Sequence, residues 1–211
     1  HYIFRNLEKC GITDAVLVLG YKSDTVKEYL HANFPGFKLG FAMNEKYDST
    51  NNAYSLWLAE PLVKGDFVLL DSDILFDYRI LKSVVEGRGP ARLAVHFRKE
   101  LGPEEVKVRI DSGGRVVTIN KEMDPALAAG ESIGIECFTG LWKDALFGKL
   151  AEQVEKRGIV DHYYESAFQE LMDEGMEMRS VDTAGMACME LDTPDDFKRA
   201  EKDVLPLLSW D

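Results

Sequence analysis

Phe67-Val68-Leu69-Leu70-Asp71-Ser72-Asp73 is the stretch on which the reading of this chain turns. Four apolar residues without polar alternation read as a strand buried on both faces, as in a parallel sheet. Two carboxylates follow within three residues. In an open α/β sheet the ligand crevice lies beyond the carboxyl ends of the strands, and two like charges there repel unless a cation stands between them. Oxygen-only ligation suits Mg²⁺, which takes one or two carboxylates together with substrate phosphates. The plain alternative is a helix-capping aspartate after a strand, and the heptapeptide alone does not choose between them.

Working outward, the same alternation of strand and helix recurs. Ala15 to Leu19 is a second apolar run, closed by Gly20. It is preceded by a helical spacing at Ile3, Phe4 and Leu7 that stops near Gly11. Thr25 with Glu28 forms a capping box for a helix reaching about Asn33. Lys38 to Met43 reads as a strand, and Asn51 to Leu62 as a helix with Ala53, Leu56, Trp57 and Leu58 inward. Beyond residue 90 the pattern changes to short strands at Arg92 to Phe97, Val106 to Ile110, Arg115 to Ile119 and Ser132 to Phe138. Ser112-Gly113-Gly114 makes the hairpin turn between two of them. Helices at about Leu141 to Lys156 and Asp161 to Glu174 come next, and a last one opens at Thr193-Pro194-Asp195-Asp196. The expectation is one α/β domain with a mixed, mostly parallel sheet flanked by helices. Residues 1–90 would form its nucleotide-type half and residues 91–211 its acceptor-type half.

Composition narrows the partners. The 211 residues carry 37 acidic against 25 basic side chains, a net charge of −12. Such a surface repels a phosphate backbone, which disfavours nucleic acid, and a small anionic substrate would need a local basic or metal-bearing pocket. No apolar run is long enough to cross a bilayer. Cys10, Cys137 and Cys188 stand far apart without a C-x-x-C spacing and read as reduced thiols of a cytoplasmic protein. A homodimer stays open.

A second acidic group, Glu190-Leu191-Asp192, ends the apolar stretch from Met186 just before the Thr193 helix start. If that stretch is a strand, Glu190 and Asp192 share one face. With it the chain gains a specific resemblance. Gly20-Tyr21-Lys22-Ser23-Asp24, Asn44-Glu45-Lys46-Tyr47, Thr50-Asn51-Asn52-Ala53-Tyr54-Ser55-Leu56, Asp71-Ser72-Asp73 and Glu190-Leu191-Asp192-Thr193-Pro194-Asp195-Asp196 follow in the order found in sugar-nucleotide-type nucleotidyltransferases. Within that family the chain is most similar to the bacterial phosphocholine cytidylyltransferase branch, whose relatives also act on phosphonates and sugar phosphates. The resemblance extends through Glu105-Val106-Lys107-Val108 and Gly130-Glu131-Ser132-Ile133-Gly134-Ile135.

The resemblance implies a Rossmann-like, GT-A-type fold and transfer of CMP from CTP to a small phosphorylated or phosphonylated acceptor such as phosphocholine, with release of pyrophosphate. Asp73, Glu190 and Asp192 would hold Mg²⁺, with Asp73 and Lys107 catalytic. Asn44, Thr50, Asn51, Asn52 and Asp71 would face the nucleotide, since amides offer a base edge both donor and acceptor. Glu105, Lys121, Glu131, Tyr163, Tyr164 and Glu165 would face the acceptor, the two tyrosines as an aromatic cage for a quaternary ammonium. Two departures accompany this. Cys188 stands where relatives often carry tryptophan. The family's opening strand, glycine-rich turn, arginine and lysine do not precede His1, so about 25–35 further residues are expected upstream, enough for one strand, a phosphate loop and the start of a helix. Two other readings stay open: a sugar-1-phosphate nucleotidyltransferase using another base, and a catalytically silent ligand-binding relative.

Overall fold

A computed structural model describes residues 1–209, so the last two residues of the predicted domain lie outside it. Helix α1 (Tyr2–Lys9) leads into β1 (Asp14–Leu19), α2 (Ser23–Asn33), β2 (Lys38–Met43) and α3 (Asn52–Ala59). Strands β1 and β2 pair in parallel, as their unbroken apolar character predicts. Helix α2 differs from expectation at its start. It begins at Ser23 behind a left-handed Lys22 with no side-chain cap, so Thr25 lies inside the helix instead of capping it. Asn51 does cap α3, its side-chain oxygen accepting from the Asn52 amide.

The apolar run of the opening heptapeptide is β3 (Phe67–Leu70). A three-residue strand, β4 (Ile74–Phe76), follows directly, and then α4 (Tyr78–Glu86) and β5 (Ala91–His96). The hairpin β6 (Lys107–Ile110) and β7 (Val116–Asn120) leads to the long β8 (Gly130–Phe138). Helices α5 (Leu141–Ala151) and α6 (Glu165–Asp173), strands β9 (Arg179–Asp182) and β10 (Cys188–Glu190), and helix α7 (Pro194–Arg199) complete the chain. The main sheet runs β7-β6-β8-β5-β9, with β3 on β8 as well.

The sheet is mixed, as expected, but it is not mostly parallel. Only β1–β2 and β5–β9 pair in parallel, because β8 runs antiparallel to β3, β5 and β6. Strands β3 and β5 therefore run the same way without touching. Both faces of the sheet are covered. Ala91, Leu93 and Val95 of β5 pack with Phe138, Trp142, Leu146 and Phe168. Ala94, pointing the other way, packs with Phe4, Ile80 and Leu81. Strand β1 pairs with β2 alone and β3 with β8 alone, so one edge of each has no backbone partner among the described residues.

Two local devices fix what lies at the sheet's carboxyl ends. At Gly20, just past β1, an added Cβ would sit 2.6 Å from the Tyr47 side chain, so only glycine lets that ring close over the strand end. Asp77, buried at the start of α4, accepts from the Arg79 backbone and guanidinium and from the Ser209 amide at 3.1 Å. It caps α4 and anchors the far end of the chain at once. Burial pushes its carboxyl up, but the Arg79 and Ser209 hydrogen bonds outweigh that and hold it at about 2.

Losing this cap and anchor in Asp77→Ala should lower stability by about 1–2 kcal/mol near neutral pH. A carboxyl depressed from 3.8 to about 2 contributes stability that is present above pH 3.8 and disappears as pH falls through 2. The stability gap between wild type and variant in urea titrations should therefore narrow below about pH 4. A gap that stays constant down to pH 2 would contradict this role.

Candidate active site

The two acidic segments meet. Strands β4 and β10 pair antiparallel, Glu190 opposite Ile74, and the Leu191 amide donates to the Asp73 carbonyl at 2.8 Å. Asp73 and the Glu190-Leu191-Asp192 run thus share one edge although about half the chain lies between them. Helix α7 then starts at the predicted N-cap, Thr193, which goes further and forms a full capping box, its side chain and backbone exchanging hydrogen bonds with Asp196.

Asp71 ends β3 with its amide donating to the Gly134 carbonyl at 3.0 Å. Gly134 has φ +68° where β8 slips against β5, and a Cβ there would collide with the Asp71 carboxylate. The other side of that carboxylate accepts from the Tyr164 hydroxyl at 2.8 Å. Behind lie Glu136 of β8, fully buried, and Glu165 at the start of α6, nearly so. Burial is the main force on all these groups. It raises Asp71 to about 6, with Asp73 raising it further while the Tyr164 hydrogen bond and Lys121 pull the other way. Burial and the Asp71 charge lift Glu165 to about 7 against its own backbone hydrogen bond and Lys121. Glu190 reaches about 7 through burial and then the charges of Asp192, Asp73, Asp71 and Glu131.

Crowding of this kind is what a divalent cation relieves. Among the described residues no three His, Cys, Asp or Glu side chains are already gathered into a metal cluster. The fit to Mg²⁺ is therefore one of donor chemistry and position: oxygen-only side chains on two segments joined by a backbone hydrogen bond, with Glu190 within electrostatic reach of Asp73 and Asp192.

Beside Glu190 and Asp192 opens a cavity of about 430 Å³, lined also by His96, Arg98, Glu105 and Glu131. Arg98 bridges Glu131 at 2.6 Å and Glu105 at 3.0 Å, and His96 Nδ1 lies 3.5 Å from Glu131. Cys188 is in the wall, its thiol raised by burial to about 11 and so neutral. Two of the acceptor candidates, Glu105 and Glu131, are here. The rest are elsewhere. Lys121 and Tyr163 line a second cavity of about 680 Å³, with the Lys121 ammonium 4.5 Å above the Tyr163 ring.

Several predicted roles change. Lys107 is not placed to act on a phosphate, because it is 1% exposed and its ammonium donates to the carbonyls of Pro103, Glu105 and Lys121. All three donors are committed to closing a loop. Tyr164 cannot join an aromatic cage, being buried with its hydroxyl on Asp71, and the Tyr163 face already carries a lysine. Glu165 is buried beneath the strand end instead of lining the acceptor cavity. Asn44 donates to Thr50 and Ser55 and accepts from the Lys46 amide, while Thr50 donates to the Lys46 carbonyl. Asn51 reaches the Asp161 carbonyl and Asn52 accepts from the Tyr164 amide. These four side chains staple the 44–52 loop to itself and to the segment before α6. Glu136 escaped sequence reading altogether; its one signal was a lone acid inside an apolar strand.

Raised carboxylates favour the folded protein while they are protonated. With Asp71 at about 6 and Glu165 and Glu190 at about 7, their contribution is complete below about pH 4 and is lost as pH rises through 6 to 7. In chelator, Tm should fall between pH 5 and pH 8, and Mg²⁺ should restore it most at pH 8. A metal-free Tm that rises across this range would refute the assignment. Lys107→Met should lose about 1–3 kcal/mol of stability by orphaning its carbonyls, whereas Lys121→Met, which orphans none, should lower Tm by less, both read by calorimetry.

No protein-family model matches the chain. It is 25% identical over 206 residues to a CMP-5'-(3-aminopropyl)phosphonate synthase of Streptomyces rubellomurinus, covering 93% of this chain and 32% of that protein. It is 26% identical over 201 residues to a bifunctional IPC transferase and DIPP synthase of Aquifex aeolicus, covering 94% of this chain and 42% of that protein. The chain thus spans well under half the length of these curated relatives. Among solved structures, the inositol-1-phosphate CTP transferase from T. maritima superposes with a TM-score of 0.76 at 26% identity, over 92% of this chain and 76% of that one. The CTP:phosphocholine cytidylyltransferase from Streptococcus pneumoniae shares the fold, with a TM-score of 0.71 at 19% identity over 95% of this chain and 82% of that one. The chain has the single-domain α/β nucleotidyltransferase fold, and its relatives include cytidylyltransferase-like proteins over most of its length and, over 81 residues at 31% identity, a D-glycero-alpha-D-manno-heptose 1-phosphate guanylyltransferase of Campylobacter jejuni.

Proposed function

We propose that the full-length protein transfers a cytidylyl group from CTP to a small phosphorylated or phosphonylated acceptor. The observation that carries this reading is the hydrogen bond from the Leu191 amide to the Asp73 carbonyl, which sets two acidic segments side by side at the mouth of a polar cavity. The relatives support the nucleotide and the acceptor class: CTP in the two solved transferases, a phosphonate in one curated relative, inositol phosphate and phosphocholine in the structures.

In this reading Asp73, Glu190 and Asp192 hold Mg²⁺, which when bound neutralises charge on the α-phosphate. An acceptor phosphate or phosphonate oxygen, seated beside Arg98, attacks the α-phosphorus. The bond to the bridging oxygen of the β-phosphate breaks, and pyrophosphate leaves with that electron pair. Lys121, within electrostatic reach of Asp71 and Glu165, is the cation available to a phosphate near the end of β3. The cavity also bears on the acceptor. Among the described residues its wall holds Glu105, Glu131 and His96 but no tyrosine or tryptophan, and its one phenylalanine, Phe76, is buried. Carboxylates without an aromatic face suit hydroxyl groups or a primary ammonium better than a quaternary ammonium.

Pyrophosphate release by the full-length protein, with each nucleoside triphosphate against aminoalkylphosphonate, inositol phosphate and phosphocholine, tests this directly. CTP should support turnover. Asp73→Asn should reduce it on the order of 100-fold or more with the fold intact. Near wild-type turnover by that variant at saturating Mg²⁺, or no release with any pair, would sink the proposal.

A further inference from the structure

Glu136 is the least expected side chain in the molecule. It lies in the middle of the main sheet, opposite Leu69 of β3 and Leu93 of β5, with no exposure to solvent. One carboxyl oxygen, Oε1, accepts from the Ser132 hydroxyl at 3.3 Å. The other, Oε2, is buried and has no partner. An ionised carboxylate in such a place is too costly to persist, and its group neutralises instead. The charged and titratable groups facing it are Asp71 from the end of β3 and Tyr164 and Glu165 from the start of α6. No cation is among them. Asp71 is itself pinned on two sides, by the Tyr164 hydroxyl and by the Gly134 backbone.

We propose that Glu136 is a positioning residue for Asp71: as the neutral acid it turns its free oxygen into a donor toward the Asp71–Tyr164 pair and fixes the Asp71 carboxylate at the end of β3. The unpartnered Oε2 is the atom with a donor role to fill, and Asp71 and Tyr164 are the neighbours with acceptor capacity. Burial and the surrounding negative charges raise the Glu136 carboxyl well above its ordinary range, in keeping with the neutral form. Glu136 touches no substrate in this arrangement; it acts through Asp71.

Two variants and two readouts separate positioning from mere packing. Glu136→Gln keeps a neutral donor, whereas Glu136→Met keeps the volume and removes it. Exchanging a buried acid for an apolar group of like size is often neutral or stabilising, so both should keep the wild-type Tm. Groups that orient a residue of a site are worth about 10–100-fold, so the Met variant should lose that much kcat at saturating CTP, and the Gln variant should recover most of it. The kinetic arm rests on the proposed reaction, so a second arm does not. Carbon-13 spectra of the glutamate-labelled full-length protein at pH 7 should place the Glu136 carboxyl, assigned by its absence in the Gln variant, at the protonated shift. Wild-type kcat in the Met variant would overturn the inference, as would a kcat loss that appears only with a lowered Tm. If the wild type shows no turnover, the proposed reaction fails, and the carboxyl shift alone decides: protonated upholds Glu136, ionised overturns it.

Discussion

The β4–β10 ladder is three residues long, yet it ties Asp73 to Leu191 by backbone and brings chemistry from both ends of the sequence to one edge. Everything acidic nearby follows from that meeting. Glu190 and Asp192 are carried in beside Asp73, and the mixed-charge cavity opens on their flank. Helix α7 must begin immediately afterwards, which its capping box secures. Asp77 anchors the same region from the other side by holding both the start of α4 and the Ser209 amide. A short ladder of this kind would fray alone. It persists because Phe76 and Leu75 are buried against α1, α4 and the C-terminal segment.

Electrostatics explains why the neighbourhood is so rigidly built. Several carboxylates share a small region in a chain already bearing a net charge of −12. Repulsion there is met in three ways. Glycine at position 134 lets Asp71 press against backbone, Tyr164 donates to its outer oxygen, and Lys121 supplies a positive charge braced on the Tyr163 ring. The amide-rich 44–52 loop is likewise braced by its own side chains, so that any base contact it makes must come from main-chain groups or from valences left over.

Sequence reading recovers the parts of this that are periodic or capped. β1 and β3 are built on apolar runs, and Thr193-Pro194-Asp195-Asp196 announces a helix through hydrogen-bond chemistry within four residues. Strand direction is not legible in the same way. Whether β8 runs with or against β3 depends on a partner more than 60 residues away, and the side-chain pattern of each strand is the same in either case. β4 and β9 are too short to show a period, and α4 was missed although Asp77 and the spacing of Ile80, Leu81 and Val84 mark it. Site residues divide along similar lines. Asp73, Glu190 and Asp192 stand out in the sequence because paired acids at a strand end repel one another, and the fold brings their two segments together. Lys107, Tyr164 and the asparagines were given ligand roles because their side chains could serve a ligand, and sequence does not reveal whether those valences are already taken.

The separation of the β1–β2 pair from the main sheet among the described residues carries a consequence for how this stretch of chain opens. No strand-to-strand hydrogen bond joins the two sheets among the described residues, so side chains alone couple them, chiefly through α3 and the apolar cluster around Phe34, Leu17 and Val68. Contacts of that kind slide and re-form more readily than a ladder breaks. In a protein cut to these residues, amides of β1 and β2 should exchange with solvent as one group, ahead of those in β5 and β8, and any strand that seats itself on the open edges of β1 and β3 should bring them to a common rate.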